Sequence, residues 1–347
     1  MTPSPPGLKV LASGLHTTVQ DLGRNGYQHI GVPVSGALDG FGLRLANALV
    51  GNPQGMAALE TLGSGPSFEI AADTARLALT GAGASLAIGI DQQRIVAAGQ
   101  SVTLQRGEIA RIVLGRQSAC CYLAVEGGIA VPQVLGSAST YVRAALGGLN
   151  GRALQRDDVV PLAMACASER TEARAPATQV KPADQPIRVV FGPQHKHFTT
   201  EALTALRDAE FRVSNDADRM GMRLDGPRLR HRRGWDIISD AIATGSIQVP
   251  GSGQPIVLLA DHQTTGGYPK IATVISADLP ALAKRRPGDA LRFAAVELER
   301  AEEICREAER DFAKLVAAIK PLATDNGPDF GLLYGENLIS GVTTGLE

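Results

Sequence analysis

One loop concentrates more hydrogen-bonding chemistry than a chain reversal needs. Residues 263–270 read Gln263-Thr264-Thr265-Gly266-Gly267-Tyr268-Pro269-Lys270, an amide, two hydroxyls, a phenol, an ammonium and two glycine N–H groups within eight positions. A carboxylate, carboxamide or phosphoryl oxygen is well served by such donors. The Gly266-Gly267 pair lets backbone approach a ligand closely. Upstream, Gly245-Ser246-Ile247-Gln248-Val249 and the apolar run 256–260 flank a Pro/Gly turn at 250–255, so the loop is expected at the ends of short strands. We read it as a binding site; the plain alternative is a decorated Gly-Gly turn.

Two further segments carry candidate chemistry. In 214–223, Arg219 can pair bidentately with a carboxylate or phosphate, while Asp216 and Asp218 read as Asx-turn residues. In 17–47, Arg24, Ser35 and Asp39 precede a helix and can form an anion site at its N-terminus. Equally, Ser35 and Asp39 can simply cap that helix, and Asp39 reads as a cap. His195-Lys196-His197, taken as strand, places two imidazoles on one face, but no third metal ligand is evident. His262 beside the polar loop offers acid–base chemistry, or is simply a solvated loop residue. Phosphate-loop, HExxH, GxSxG and helix-opening GxGxxG patterns are missing from the sequence.

The elements that hold these residues are mostly strands. With 347 residues and 44% hydrophobic content the chain buries a substantial core. Lys plus Arg (34) nearly balance Asp plus Glu (35), and aromatics reach only 4%, which argues against nucleic-acid or anionic-membrane binding. The four cysteines (120, 121, 166 and 305) form no CxxC pair and are expected as buried free thiols, Cys120 and Cys121 facing opposite sides of a sheet. Without a signal-like start or a long apolar run, the chain is expected to be cytoplasmic. Period-two alternation over 67–125 with closely spaced turns predicts antiparallel sheet or barrel. Helices are expected over 38–50, 200–207, a brief stretch to 284 capped by Asp278, and 296–319. Strands are expected near 187–191, 211–214, 237–239, 246–249, 256–260, 271–276 and 290–296. Residues 167–185, poor in large apolar side chains, read as a linker. The tail after Pro321, with Leu332, Leu333, Tyr334, Leu338 and Ile339, is expected to dock.

Several segments, in order along the chain, resemble one family. They are Thr18-Val19-Gln20-Asp21-Leu22-Gly23-Arg24, Gly31-Val32-Pro33, Ser35-Gly36-Ala37 with Asp39, and Arg44-Leu45-Ala46-Asn47. Gly136-Ser137 with Ser139-Thr140-Tyr141, Gly147-Gly148 and Gly151-Arg152 follow. Then come Gly192-Pro193-Gln194, Arg219-Met220-Gly221, Ile247-Gln248-Val249-Pro250, Gly253-Gln254-Pro255 and the loop 263–270. Together, over about residues 8–296, they resemble the 5-oxoprolinase C-subunit family (KipA, or allophanate hydrolase subunit 2), related to the carboxyltransferase domain of urea carboxylase.

The resemblance implies a mainly β fold of cyclophilin-like β-barrels: two β-rich lobes with a few short helices and a C-terminal helix. The corresponding division is 8–166, a linker 167–185, 186–296, and a helical extension and tail over 297–347. It implies a complex with the 5-oxoprolinase B subunit (KipI-like) and the A subunit (LamB/YcsF-like) that opens 5-oxo-L-proline to L-glutamate with ATP hydrolysis. The alternatives are a carboxyltransferase or allophanate-type amide-processing subunit, or a non-catalytic regulatory partner of a KipI-like kinase inhibitor. On this reading Lys270, Tyr268 and Thr264 are catalytic. Arg24, Ser35, Arg219, Gln248, Gln263, Thr265, Gly266 and Gly267 bind substrate, and no metal is held. ATP is used by the complex; without a Met-Lys-Met-like segment this chain carries no covalent biotin.

Overall fold

The computed structural model describes residues 5–90, 93–177 and 185–322. The docking expected of the tail past Pro321 lies outside the described residues, apart from Leu322.

The first half folds as two antiparallel sheets packed face to face. One runs Val159–Pro161, Gly7–Ala12, Ser67–Ile70, Ile109–Val113, Ser85–Ile88, Arg94–Ala97 in spatial order. The other runs His16–Gln20, Ala58–Leu62, Cys120–Val125, Thr74–Thr80, Ser101–Gln105. Leu8, Phe68, Ile70, Leu86 and Ile112 from the first meet Leu59, Leu77, Leu79 and Leu123 from the second in one core. Strand alternation explains how Cys120–Val125 serves two cores. Cys121, Leu123 and Val125 point into that sandwich, whereas Cys120, Tyr122 and Ala124 point outward onto a helix. Cys120 and Cys121 are thus buried on opposite faces, and burial pushes the Cys121 thiol up to about 12. Cys166 is exposed and Cys305 half-buried, which corrects the expectation that all four thiols are buried.

That helix is α1 (Gly40–Val50), which lays Leu43, Ala46, Leu49 and Val50 on the sheet. Asp39 caps it by accepting from the Gly42 N–H, and Gly51, at φ 78°, ends it in the left-handed conformation. Residues 167–177 are tied to this first half. Ser101 and Thr103 donate hydroxyl hydrogen bonds to Glu172, and Arg76 reaches the Ser168 and Arg170 carbonyls.

The second half is one eight-stranded sheet ordered Ala290–Leu291, Phe211–Ala217, Gly221–Asp225, Ile256–Leu258, Ser246–Gln248, Lys270–Val274, Ile187–Phe191, Phe293–Ala295. Its two edge strands are consecutive in sequence, so the sheet nearly closes into a barrel. The expected single strand 290–296 is therefore two short strands broken at Arg292, each pairing with a different edge. Val189, Phe211, Val213, Leu224, Ile247, Val257, Ile271 and Phe293 fill the interior, and α2 (Thr200–Asp208) adds Ala202 and Leu206.

Three local expectations are corrected. His195–His197 is a 3-10 turn rather than strand, with His195 Nδ1 turned onto the Gly192 carbonyl, and no metal-holding group of three His, Cys, Asp or Glu exists among the described residues. Residues 237–239 are irregular; only Asp240–Ala241 pairs, with Thr265–Gly266. Asp278 does not cap α3 (Leu279–Ala283) with its side chain. Its carboxylate receives the Arg188 backbone N–H and a two-pronged guanidinium instead.

Helix α4 (Leu298–Ala317) straps the halves together. Ala301 and Ile304 pack on Ile275, while Phe312 meets Phe41 edge-on at 5.2 Å beneath the Arg44 guanidinium. No helix among the described residues is long and apolar enough to cross a membrane.

Candidate functional site

The loop 263–270 is held at one end of the second barrel by the strands on either side of it. Gln248 closes one strand and Lys270 opens its neighbour, and the two are register partners beside a bulge. Both side chains are buried. The Lys270 ammonium donates to Asp240 Oδ2 at 2.7 Å and to the Ala241 carbonyl at 2.9 Å. Gln194 ties the pair down, donating from Nε2 to Asp240 Oδ2 at 3.1 Å and accepting the Lys270 backbone N–H at 3.2 Å. The hydrogen bonds from Lys270 and then Gln194 hold the Asp240 carboxyl below its ordinary value.

Next to this pair, Gln263 donates to Gln248 Oε1 at 3.3 Å, which leaves Gln248 Nε2 buried without a partner among the described residues. An unpaired buried amide N–H is costly, so the geometry is poised for an acceptor such as a carbonyl oxygen. Gly266 is required here by space: a Cβ would stand 2.7 Å from Gln248 Nε2 and 2.8 Å from the Ile242 side chain. Thr264 is fixed by its carbonyl, which accepts from Ile242 N at 3.1 Å, and Thr265 is exposed. Tyr268 stands at the rim against Trp235, with ring centroids 6.3 Å apart. His262 is fully buried rather than solvated: Nε2 meets Thr244 Oγ1 at 3.1 Å and Nδ1 meets the Gln263 carbonyl at 2.6 Å. Burial lowers its pKa, so it is neutral at pH 7 and anchors the loop.

Arg219 does something different from what its sequence context predicts. It lies buried at the junction of the two halves and donates to Glu60, to both Asp261 oxygens (2.9 and 3.1 Å) and to the Gly36 carbonyl at 2.6 Å. Burial opposes its charge, but the two carboxylates more than offset that and leave its pKa above the ordinary value. Four of its five N–H donors are committed to these partners, so Arg219 ties the two lobes together. Glu60 also receives Tyr122 Oη at 2.6 Å and Leu38 N at 2.9 Å.

Arg24 is buried nearby in the first half, bonded to the Ser139 carbonyl, with Nη1 unpartnered among the described residues. Burial lowers its pKa, against the pull of Asp21 and Asp261. Ser35, at φ 55°, donates its N–H to the Ala260 carbonyl and lines a cavity of about 70 Å³ with Leu38, Thr244 and Leu279. No contact among the described residues brings Arg24 or Ser35 to the loop 263–270. Lys270, Gln248 and Gln263 are brought together, with Tyr268 at the rim against Trp235; Arg24, Ser35 and Arg219 lie toward the lobe junction.

Sequence reasoning missed Asp240, Gln194, Glu60 and Asp261. Glu60 carried a signal, a lone carboxylate in the apolar strand Ala58–Leu62 that demands a buried partner. Asp240 carried none, since acids in exposed loops are common.

The chain matches the family model described as carboxyltransferase domain, subdomain A and B, over residues 30–295. It is 37% identical to the C subunit of 5-oxoprolinase from Escherichia coli (strain K12), covering 89% of this chain and 97% of that one. It is 29% identical to the urea amidolyase of Saccharomyces cerevisiae, covering 85% of this chain but 17% of that protein. Among solved structures it resembles TTHA0988, with a TM-score of 0.75 and 37% identity, spanning 84% of this chain and 57% of that one. It also resembles the Kluyveromyces lactis urea carboxylase, with a TM-score of 0.82 and 28% identity, over 91% of this chain and 30% of that one.

Proposed function

The chain belongs to the carboxyltransferase-domain family, subdomain A and B, which takes in the C subunit of 5-oxoprolinase, and from that premise we propose that it is one subunit of a cytoplasmic, ATP-dependent 5-oxoprolinase. With the KipI-like and LamB/YcsF-like subunits, it forms a complex that opens 5-oxo-L-proline. ATP and water are consumed; L-glutamate, ADP and phosphate are released. A lactam is a poor electrophile. Transfer of the γ-phosphoryl group to its oxygen makes the ring carbon attackable by water, after which the C–N bond breaks to leave an acyl phosphate. A second water hydrolyses that to the carboxylate and phosphate.

The observation that carries this reading is the buried, unpartnered Gln248 Nε2 beside the Lys270–Asp240 pair. That amide presents a donor to a carbonyl or carboxylate oxygen. Lys270 supplies positive charge held in place by Asp240 and Gln194, and the same loop carries the Thr264, Thr265 and Tyr268 hydroxyls as further donors. ATP is a substrate of the complex, and this site does not suit its triphosphate. The Gly-Gly turn leads into a strand rather than a helix N-terminus, so it offers no phosphate cradle. The nucleotide is therefore assigned to another subunit.

Glutamate release by the reconstituted three-subunit mixture, with and without ATP, tests the reading; turnover that persists when this chain is omitted sinks it. Lys270→Ala and Gln248→Leu should each lower the rate at least about a hundredfold, the scale of a lost oxyanion donor. Structural likeness to urea carboxylase favours a second reading, carboxyl transfer to a urea-like amide. Turnover of urea, but not 5-oxoproline, by the same mixture would select it.

A further inference from the structure

Beside the loop site lies a surface that the proposed chemistry does not use. Residues 228–233 read Arg-Leu-Arg-His-Arg-Arg, and Arg228, Arg230, Arg232 and Arg233 are all exposed. None of these four has a side-chain partner among the described residues. His231 between them is turned inward onto the Val249 carbonyl, and burial lowers its pKa, so it adds no charge at pH 7. Four positive charges therefore crowd one short segment of a chain whose formal net charge is −1.

The residues that follow expose apolar surface. Trp235 is 53% exposed, Ile238 94% and Tyr268 39%. The backbone beneath them is held: Ile237 N donates to the Gly267 carbonyl at 2.9 Å, and the Trp235 ring lies over Gly251, where a Cβ would approach it to 3.1 Å. A fixed display of Trp, Tyr and Ile flanked by arginine is the composition of an interface anchor, where aromatic and arginine side chains carry most binding energy. The patch is also continuous with the candidate site. Tyr268 belongs to both, and Asp240, two residues past Ile238, is paired with Lys270.

We propose that this face, residues 228–238 with Tyr268, docks a protein partner whose matching surface is acidic and carries an apolar pocket, and that the occupant is the KipI-like subunit of the complex. The proposal rests on the reading above for the partner's identity. Charge complementarity selects an acidic surface, and the exposed Ile238 and Trp235 select a pocket. Three apolar side chains are too few for stable membrane anchoring, and the exposed Trp235 and Ile238 call for an apolar pocket that a nucleic-acid backbone lacks. Seated here, the partner shields the exposed Asp240 from water and strengthens its hold on the already buried Lys270.

The test is titration calorimetry of the full-length chain with the purified KipI-like protein at 50 and 300 mM salt. The parent chain should bind, and more weakly at high salt. Arg232→Glu with Arg233→Glu should weaken binding at least about tenfold, and so should Trp235→Ala with Ile238→Ser. Arg232→Lys with Arg233→Lys should retain most affinity. All these positions are exposed, and an unchanged thermal melt verifies folding. Binding by the parent chain that the variants leave intact overturns the docking face alone. No binding by the parent chain overturns the partner reading and this proposal together. If the same variants instead abolish self-association, or binding to vesicles containing 30% phosphatidylserine, while binding to the KipI-like protein is unchanged, the face belongs to another occupant and the proposal fails.

Discussion

Replacing Arg219 with Met removes the cation from a buried junction that holds two carboxylates. Glu60 then keeps only Tyr122 Oη and Leu38 N, and Asp261 keeps no side-chain partner among the described residues. The Gly36 carbonyl also loses the Arg219 donor. Breaking a buried ion pair from one side costs about 3–5 kcal/mol, and two carboxylates stranded together argue for the upper end. Against a total stability of about 5–15 kcal/mol, that is a large fraction. Because the cluster links Glu60 of the first sandwich to Asp261 of the second barrel, the loss should also uncouple the halves. Urea unfolding followed by far-UV circular dichroism and by the fluorescence of Trp235, the single tryptophan, reads both effects. The parent chain should show coincident transitions, and Arg219→Met separated ones with the barrel signal moving first. Adding Glu60→Gln and Asp261→Asn should recover at least about half of the lost stability, because the stranded charge is gone. A loss under about 1 kcal/mol with transitions still coincident would refute the argument that this network locks the lobes.

Gly266→Ala should abolish activity while shifting the melting temperature little, since the added Cβ displaces only the Gln248 amide and the end of Ile242; activity assays beside a thermal melt check it. Asp240→Asn should lower activity at least about tenfold by releasing Lys270, seen as a fall in kcat without loss of fold. Asp39→Ala should cost about 1–2 kcal/mol by uncapping α1, measured by urea unfolding. His16, His231 and His262 all have pKa values lowered by burial, so the folded state binds fewer protons than the unfolded chain. Their stability contribution is present above the unfolded value of about 6.5 and is lost as pH falls below it. Unfolding free energy should drop between pH 7.5 and 5.5, and His262→Asn should flatten that dependence.

Local pattern determined a good deal. Alternation in Cys120–Val125 assigned each side chain to one of two faces, because strand geometry fixes direction residue by residue. The helices α1 and α4 and the Asp39 cap were legible for the same reason: helix periodicity and terminal hydrogen bonds are decided within a few residues. The density of donors in 263–270 marked the loop that carries the candidate site. Tertiary structure decided which charges pair. Arg219 meets Glu60 across 159 residues and Lys270 meets Asp240 across 30; the lone Glu60 in its apolar strand signals that it needs a partner, but nothing local says which. The same guanidinium that suits a ligand anion suits a buried carboxylate equally well. Which of the two it meets depends on where the lobes dock. The same holds for His262, which reads as a loop residue in sequence and is sealed by the packing of Thr244 against it. Sequence specifies the elements and the donors they carry. Burial and partner choice, which set whether a donor binds substrate or protein, arise only when the two lobes close on one another.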